Sequence, residues 1–256
     1  MLKACFHNRG PWALFAALLV PCAALHAGIA DDLGALAPGG SLALTSNFIY
    51  RGVSESDGHG AVQGDVHLAS RGGTFLGIWA STRDPDIEPE ASAVLDLYLG
   101  HRFALSSTWS ATLSGRTHSY LGASRYEPSD DYQQIIASLT YLDGWSISIT
   151  AIPNAVHWWF YTRLGRDPAW VADTSGQYLL GRGVFLTAGA GYYRTQGTGS
   201  GMERATGYAY GNAGLAWEHG PWRLDVGYFL TQEAAQRLYP YPVDPHKVAG
   251  TLSWQF

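Results

Sequence analysis

From Pro245 to Phe256 the side chains alternate without a break. Val248, Gly250, Leu252, Trp254 and Phe256 fall on one face, and Lys247, Ala249, Thr251, Ser253 and Gln255 on the other. A period of two marks a strand, because successive side chains point to opposite faces. One face is apolar with aromatic residues at its outer end, and the opposite face is polar. A wall with lipid outside, a polar lumen inside and aromatic residues at the interface has this pattern. A soluble sandwich strand shows the same alternation but seldom ends on its last apolar residue. The stretch therefore predicts a membrane-crossing β-strand that finishes on the Phe256 carboxylate.

The pattern recurs along the chain. Ser41–Arg51 places Leu42, Leu44, Phe48 and Tyr50 against Thr45, Asn47 and Arg51. Ala61–Ser70 sets Val62, Val66 and Leu68 against Gln63, Asp65 and His67. Ser92–Phe103 sets Leu95, Leu97 and Leu99 against Asp96, Tyr98 and Arg102, and Thr108–Tyr120 sets Trp109, Ala111 and Leu113 against Ser114, Arg116 and His118. Further strands are expected at 74–81, 132–141, from Trp145, and at 170–180, 184–194, 207–218 and 222–231, which makes about twelve in all. Pro153 has no N–H for a ladder, so it must sit at a bulge or end the pairing. Short turns such as Arg71-Gly72-Gly73 and Gly181-Arg182-Gly183 alternate with longer loops. That asymmetry is characteristic of outer-membrane barrels, and the even count puts both termini on the periplasmic side.

Composition agrees. Charged residues make up 14%, while Gly (31), Tyr (15) and Trp (10) are abundant; ordinary soluble domains carry about 25% charged residues. Beyond the N-terminus no run approaches the roughly 18 apolar residues of a membrane helix. Residues 1–30 read as a secretory signal: Lys3 and Arg9 lead an apolar stretch from Pro11 to Val20, and Gly28-Ile29-Ala30 supplies small residues for cleavage. Residues 31–40 read as a periplasmic lead, and 41–256 as the barrel. Cys5 and Cys22 both lie in the signal, so the mature chain is expected to have no disulfide. Without Lys3 and Arg9, 14 of the 16 basic residues face 21 acidic ones. A net negative chain without a basic cluster argues against nucleic-acid binding.

Four segments are similar to the TorF family of porin-like proteins. They are Ser46-Asn47-Phe48-Ile49-Tyr50-Arg51-Gly52-Val53-Ser54, Ala61-Val62-Gln63-Gly64, Gly77-Ile78-Trp79-Ala80 and Asp96-Leu97-Tyr98-Leu99-Gly100. The later strands match only in style, down to Phe256. The resemblance implies a Gram-negative outer-membrane location and a porin role, with no particular substrate.

The inward faces then hold Arg51, Arg102, Arg116, Arg223 and Lys247 against Asp65, Asp96, Asp173, Glu218 and Asp225. An unpaired charge away from water is costly, so these groups are expected to pair across a narrow lumen. The alternative is a solute-selecting constriction. Arg51, Asp65, His67, Asp96, Arg102, Arg116, His118 and Asp225 are the candidate lumen residues, with Arg116 the choice for the constriction and weak ion selectivity expected. No histidine is followed by Ser two positions on, as an outer-membrane phospholipase requires, and no Gly-x-Ser-x-Gly elbow occurs. Enzyme activity is not expected. Neither a metal nor a cofactor is expected, since the histidines lack ligand partners at metal spacing. The acidic loop Asp84–Glu90 lacks the turn glycine of a calcium loop and reads as solvated. Trp158–Tyr161 reads as an interfacial girdle. The expected partners are outer-membrane lipid and lipopolysaccharide, small solutes, and the barrel-assembly machinery through Phe256. Three functions follow: a passive channel, a closed anchoring barrel acting through its loops, and a lipid-modifying enzyme.

Overall fold

The structure, a computed structural model of the chain, describes residues 36–84, 92–122, 130–159, 162–196 and 206–256, without the side chains of 157–164. Twelve strands close into one antiparallel barrel. They are β1 (Ala37–Thr45), β4 (Ala61–Ala69), β5 (Thr74–Thr82), β6 (Ala93–Ala104), β7 (Trp109–Leu121), β8 (Tyr132–Tyr141), β9 (Trp145–Trp159), β10 (Thr162–Gly181), β11 (Val184–Thr195), β12 (Thr206–His219), β13 (Trp222–Thr231) and β14 (His246–Gln255). Between β1 and β4 stands a separate hairpin of β2 (Ile49–Tyr50) and β3 (Val53–Ser54).

Each strand pairs with its neighbours in sequence, and β1 closes the ring on β14 with Ser41 opposite Gln255 and Thr45 opposite Thr251. Two more hydrogen bonds finish the seam: Gly40 N–H to Phe256 C=O at 3.0 Å and Phe256 N–H to Gly40 C=O at 3.1 Å. Closure leaves no open sheet edge, which a backbone in lipid requires. No helix among the described residues is long and apolar enough to cross a membrane.

The alternation sorts the side chains as expected. Leu42, Leu44, Val62, Val66, Leu97, Leu99, Ile147, Leu215, Val226 and Val248 are exposed on the outer wall. Asp65, Asp96, Gln134, Ser148, Thr150, Arg223 and Lys247 are buried on the inner one. An aromatic belt surrounds the end with short turns: Trp109, Trp145, Trp217, Trp222, Trp254 and Phe256. Trp109 packs on Tyr141 at 4.8 Å and Trp254 on Phe256 at 5.0 Å between ring centroids. The girdle expected at Trp158–Tyr161 rests on side chains outside the described ones, and the loop at 85–90 and the segment 1–35 fall outside the described residues.

Two boundaries differ from the sequence reading. The first strand begins at Ala37, inside the stretch read as a lead, and ends at Thr45. Asn47 breaks it. The Thr45 hydroxyl donates to Asn47 C=O at 2.9 Å, turning the chain into the barrel, so Phe48, Tyr50 and Arg51 are not on the wall. The pairing of β9 with β10 extends beyond the expected start at Trp170, up to Trp159 opposite Thr162. Pro153 lies at a register shift there, between Ile152 opposite Ala169 and Ala155 opposite Asp167, the bulge that a missing N–H demands.

The face assignment has a direct test. Leu97 is 48% exposed on the outer wall. Leu97→Arg is expected to cost roughly 2–4 kcal/mol of folding stability in a bilayer if the position lies near the midplane. Urea titration of vesicle-inserted protein measures it, and a loss within error of zero would place Leu97 on the inner wall.

Candidate functional site

Residues 47–56 cross the lumen as a compact hairpin. Tyr50 pairs with Val53, so Arg51 and Gly52 form a two-residue turn. Their φ angles are 49° and 80°. Two positive φ values in succession are the mark of a type I′ turn, whose twist suits a hairpin and whose second position favours glycine. A Cβ at Gly52 would lie 2.6 Å from Tyr210 Cβ and 2.7 Å from Thr231 Oγ1, so nothing larger fits. Side chains at the base fix the turn inward. Phe48 N–H donates to Ser56 Oγ at 2.8 Å, and Ser54 Oγ donates to Asn47 Oδ1 at 2.5 Å.

The hairpin touches much of the wall. Phe48 packs on Trp79 of β5, with ring centroids 5.5 Å apart, and Tyr50 stacks on His118 of β7 at 5.2 Å and 9°. Arg51 Nη2 donates to Gln134 Oε1 of β8 at 2.6 Å. Across the barrel, Tyr208 OH of β12 donates to Arg51 C=O at 3.1 Å, and Thr231 Oγ1 of β13 to Gly52 C=O at 2.5 Å. Val53 joins a buried cluster with Ile152, Val171, Tyr193, Tyr208 and Leu238. The connection from β13 to β14 adds a lid: Glu233–Arg237 forms a 3-10 turn, and Tyr239 OH meets Tyr208 OH at 2.8 Å. Burial pushes the Tyr239 and Tyr241 hydroxyls above their ordinary range, so both stay protonated donors.

Below the hairpin, two wall networks share one design. On β4–β7, Tyr98 OH donates to Asp65 Oδ2 at 2.5 Å, and His67 Nδ1 lies 2.6 Å from Asp65 Oδ1. Arg116 Nη1 donates to Asp96 Oδ2 and His118 Nδ1 meets Asp96 Oδ1, both at 2.7 Å. On β10–β12, Tyr210 OH donates to Asp173. In each network the tyrosine faces a glycine on the next strand, Gly77 or Gly191. A Cβ at Gly77 would lie 2.4 Å from Tyr98 Oη, and one at Gly191 2.3 Å from Tyr210 Cζ. The bare glycine lets the ring lie flat against the wall and its hydroxyl reach an aspartate beyond.

The candidate residues divide accordingly. Asp65, His67, Asp96, Arg116 and His118 are brought together in the first network, and Arg51 stands next to it at the hairpin tip. Asp225 belongs to a separate cluster near the short turns. There Arg223 Nη2 donates to Asp225 Oδ1 at 2.7 Å and Arg223 Nη1 to Glu218 Oε1 at 2.5 Å. Arg102 is no lumen group: it pairs with Asp143 in the turn between β8 and β9, and both are half exposed. Arg116 is on the inner wall as expected, but its charge is matched by Asp96, and the body that narrows the lumen beside it is the hairpin. Arg51 lies in the lumen for a different reason than expected, on that hairpin rather than on a wall strand.

The sequence reading also missed a buried ion pair. Arg83 donates to Glu55 Oε2 at 2.8 Å through both Nε and Nη2, with side chains 2% and 3% exposed. Both residues fall in stretches read as loops. A signal existed for Arg83, which continues the inward alternation of Trp79 and Ser81. Glu55 had none, because its position depends on the hairpin turning inward.

A closed antiparallel barrel with an apolar belt, a polar inner wall and a first loop folded inside has a porin-like outer-membrane β-barrel fold. The chain belongs to the Gcw_chp family, described as a bacterial protein of unknown function, whose model matches residues 34–251. No curated protein sequence matches it. Among solved structures it is similar to the NanC porin, with a TM-score of 0.54, 11% identity, and coverage of 86% of this chain and 99% of that one. The KdgM porin aligns with a TM-score of 0.47 and 9% identity over 86% and 98% of the two chains. Outer membrane phospholipase A from Escherichia coli aligns at 0.42 and 14% over 89% and 96%.

The hairpin base yields a second test. Glu55→Gln takes the Glu55 charge away from the buried Arg83 guanidinium, and loss of one partner of a buried pair costs about 3–5 kcal/mol. The unfolding midpoint in urea should fall accordingly, and Glu55→Gln combined with Arg83→Met should recover part of the loss. A single variant as stable as the parent would show that the pair is solvated.

Proposed function

We propose that the chain is a porin of TorF type in the outer membrane of a Gram-negative bacterium, giving passive passage to small solutes through a lumen narrowed by residues 47–56. The observation that carries this reading is how the hairpin is held. Its attachments to β8, β12 and β13 are side-chain hydrogen bonds at Gln134, Tyr208 and Thr231, while the wall keeps its full ladder without it. A plug joined in this way can shift or thin without opening the barrel. The polar inner wall and the fold shared with the NanC porin support the same reading. The short turns then face the periplasm, and the longer connections face outward.

A non-catalytic role fits the histidines. His67 and His118 each spend Nδ1 on an aspartate, and the His118 ring is enclosed by Tyr50, Tyr120 and Tyr132. Both point into the lumen, away from the lipid an acyl hydrolase would attack.

Two measurements test the proposal. The protein should sediment with outer membranes and show heat-modifiable migration in detergent gels; recovery as a soluble periplasmic protein would overturn the location. In planar bilayers the folded protein should give a small single-channel conductance. Replacing residues 47–56 by a short Gly-Ser connection should raise it severalfold. An unchanged small conductance would remove the hairpin from the permeation path. Silence from both folded proteins would favour the closed anchoring barrel.

A further inference from the structure

The connection from β13 to β14, residues 232–244, is folded on itself before it touches the hairpin. Thr231 N–H donates to Pro245 C=O at 2.9 Å and closes its neck. The Gln236 amide staples its interior, donating to Tyr241 C=O at 3.0 Å and accepting from Val243 N–H at 2.8 Å. Its 3-10 turn leaves Glu233 and Arg237 exposed and sends Ala235 into the buried cluster that holds Leu238 and the hairpin's Val53. Two tyrosines then reach the hairpin. Tyr208 OH donates to Arg51 C=O at 3.1 Å, so its oxygen is left to accept from Tyr239 OH at 2.8 Å. Tyr241 OH donates to Glu55 Oε1 at 3.4 Å. At the neck, Thr231 Oγ1 donates to Gly52 C=O and accepts from Lys247 Nζ, which also donates to Asp244 C=O. Both carbonyls of the hairpin tip thus accept from wall residues that are themselves bonded to this connection or to its neck.

Resting on the porin reading above, we propose that residues 232–244 are a latch that holds the hairpin across the lumen, and that the pore is gated by their release. The two ends of the hairpin are tied unequally. Its base carries the buried Glu55–Arg83 pair and the internal bonds of Asn47 to Ser54 and Phe48 to Ser56. Breaking a buried pair is costly, so the base stays put. Its tip is tied by single hydrogen bonds, each of which water replaces at small net cost. Release of the latch removes the Tyr239 and Tyr241 contacts together, uncovers Val53 and frees the tip to move on its base. The twelve-strand ladder stays closed throughout, because neither segment belongs to it. Lids are drawn from the parts of a fold that open most easily, and a connection whose grip is two hydroxyls and two small apolar contacts is such a part. The connection is one of the longer set, so under the porin reading it opens from the outer face.

Thiol labelling read beside single-channel recording tests this, with heat-modifiable migration confirming that each variant is folded. Val53 is 1% exposed, so Val53→Cys should react slowly with a water-soluble maleimide while the latch is shut, with the parent lacking that cysteine as background. Tyr239→Phe combined with Tyr241→Phe keeps both rings and removes both hydroxyls. In the Val53→Cys protein this pair should speed labelling about tenfold, the effect of losing one or two hydrogen bonds of ordinary net strength. The same pair should lengthen, also about tenfold, the time spent at the larger conductance that the protein without residues 47–56 shows throughout. Replacing 233–243 by a short Gly-Ser connection should go further in both readouts. Arg237→Gln, on the exposed side, should change neither. Labelling as slow in both latch variants as in the parent latch would overturn the latch and leave the porin reading standing. Faster labelling with unchanged conductance would overturn the gate. Silence from the folded parent and from the folded protein without residues 47–56 would overturn the porin reading, and the gate with it.

Discussion

A polypeptide in hydrocarbon has no water to satisfy its N–H and C=O groups, and each group left bare costs several kcal/mol. The rest of this fold depends on that constraint. It demands the seam in which Gly40 and Phe256 exchange two hydrogen bonds, and it forbids an open edge anywhere around the ring. It also explains why irregular backbone occurs inside the barrel and not outside. The hairpin at residues 47–56 finds partners in Ser56, Asn47, Tyr208 and Thr231, none of which is in contact with lipid.

Once the wall is closed, the lumen has to accommodate polar groups at low hydration. Twelve strands enclose a space between the filled eight-strand barrel and the open sixteen-strand porin. The structure resolves this with two kinds of carboxylate partner. Arginines meet carboxylates directly, as at Asp96 and Glu55. Aspartates that lack an arginine take tyrosine hydroxyls instead, as at Asp65 and Asp173, and each tyrosine reaches its partner across a glycine. At Gly77 and Gly191 the missing side chain is therefore a positional requirement for an aromatic neighbour.

Much of the wall was legible in the sequence. Strand phase follows from alternation, since lipid rejects the charged face at every turn of two residues; Leu97 against Asp96 and Val248 against Lys247 needed no structure. Turn chemistry fixed the short connections, as at Arg182-Gly183. Pro153 announced its bulge through its missing N–H. What alternation could not show was where a strand stops being wall. Phe48 and Tyr50 continue the phase of Leu42 and Leu44, so the pattern runs through a point where the chain leaves the sheet. The Asn47 and Arg51-Gly52 turn signals were present but weaker than the periodicity. The Glu55–Arg83 pair and the proximity of Thr231 to Gly52 join positions far apart in sequence, and only the closed topology brings them together.

The hairpin is tied to the wall by side-chain contacts, among them the buried Glu55–Arg83 pair, and not by the wall's own ladder, which has an engineering consequence. The ten residues from Asn47 to Ser56 form a cassette whose entry and exit both hydrogen-bond within itself, at Asn47 to Ser54 and at Phe48 to Ser56. Such a cassette can be exchanged for another of equal span that keeps Glu55 for Arg83, because the wall ladder does not pass through it. A designer has a defined freedom: a single scaffold can accept a library of interior inserts in which only the partner of Arg83 is held fixed.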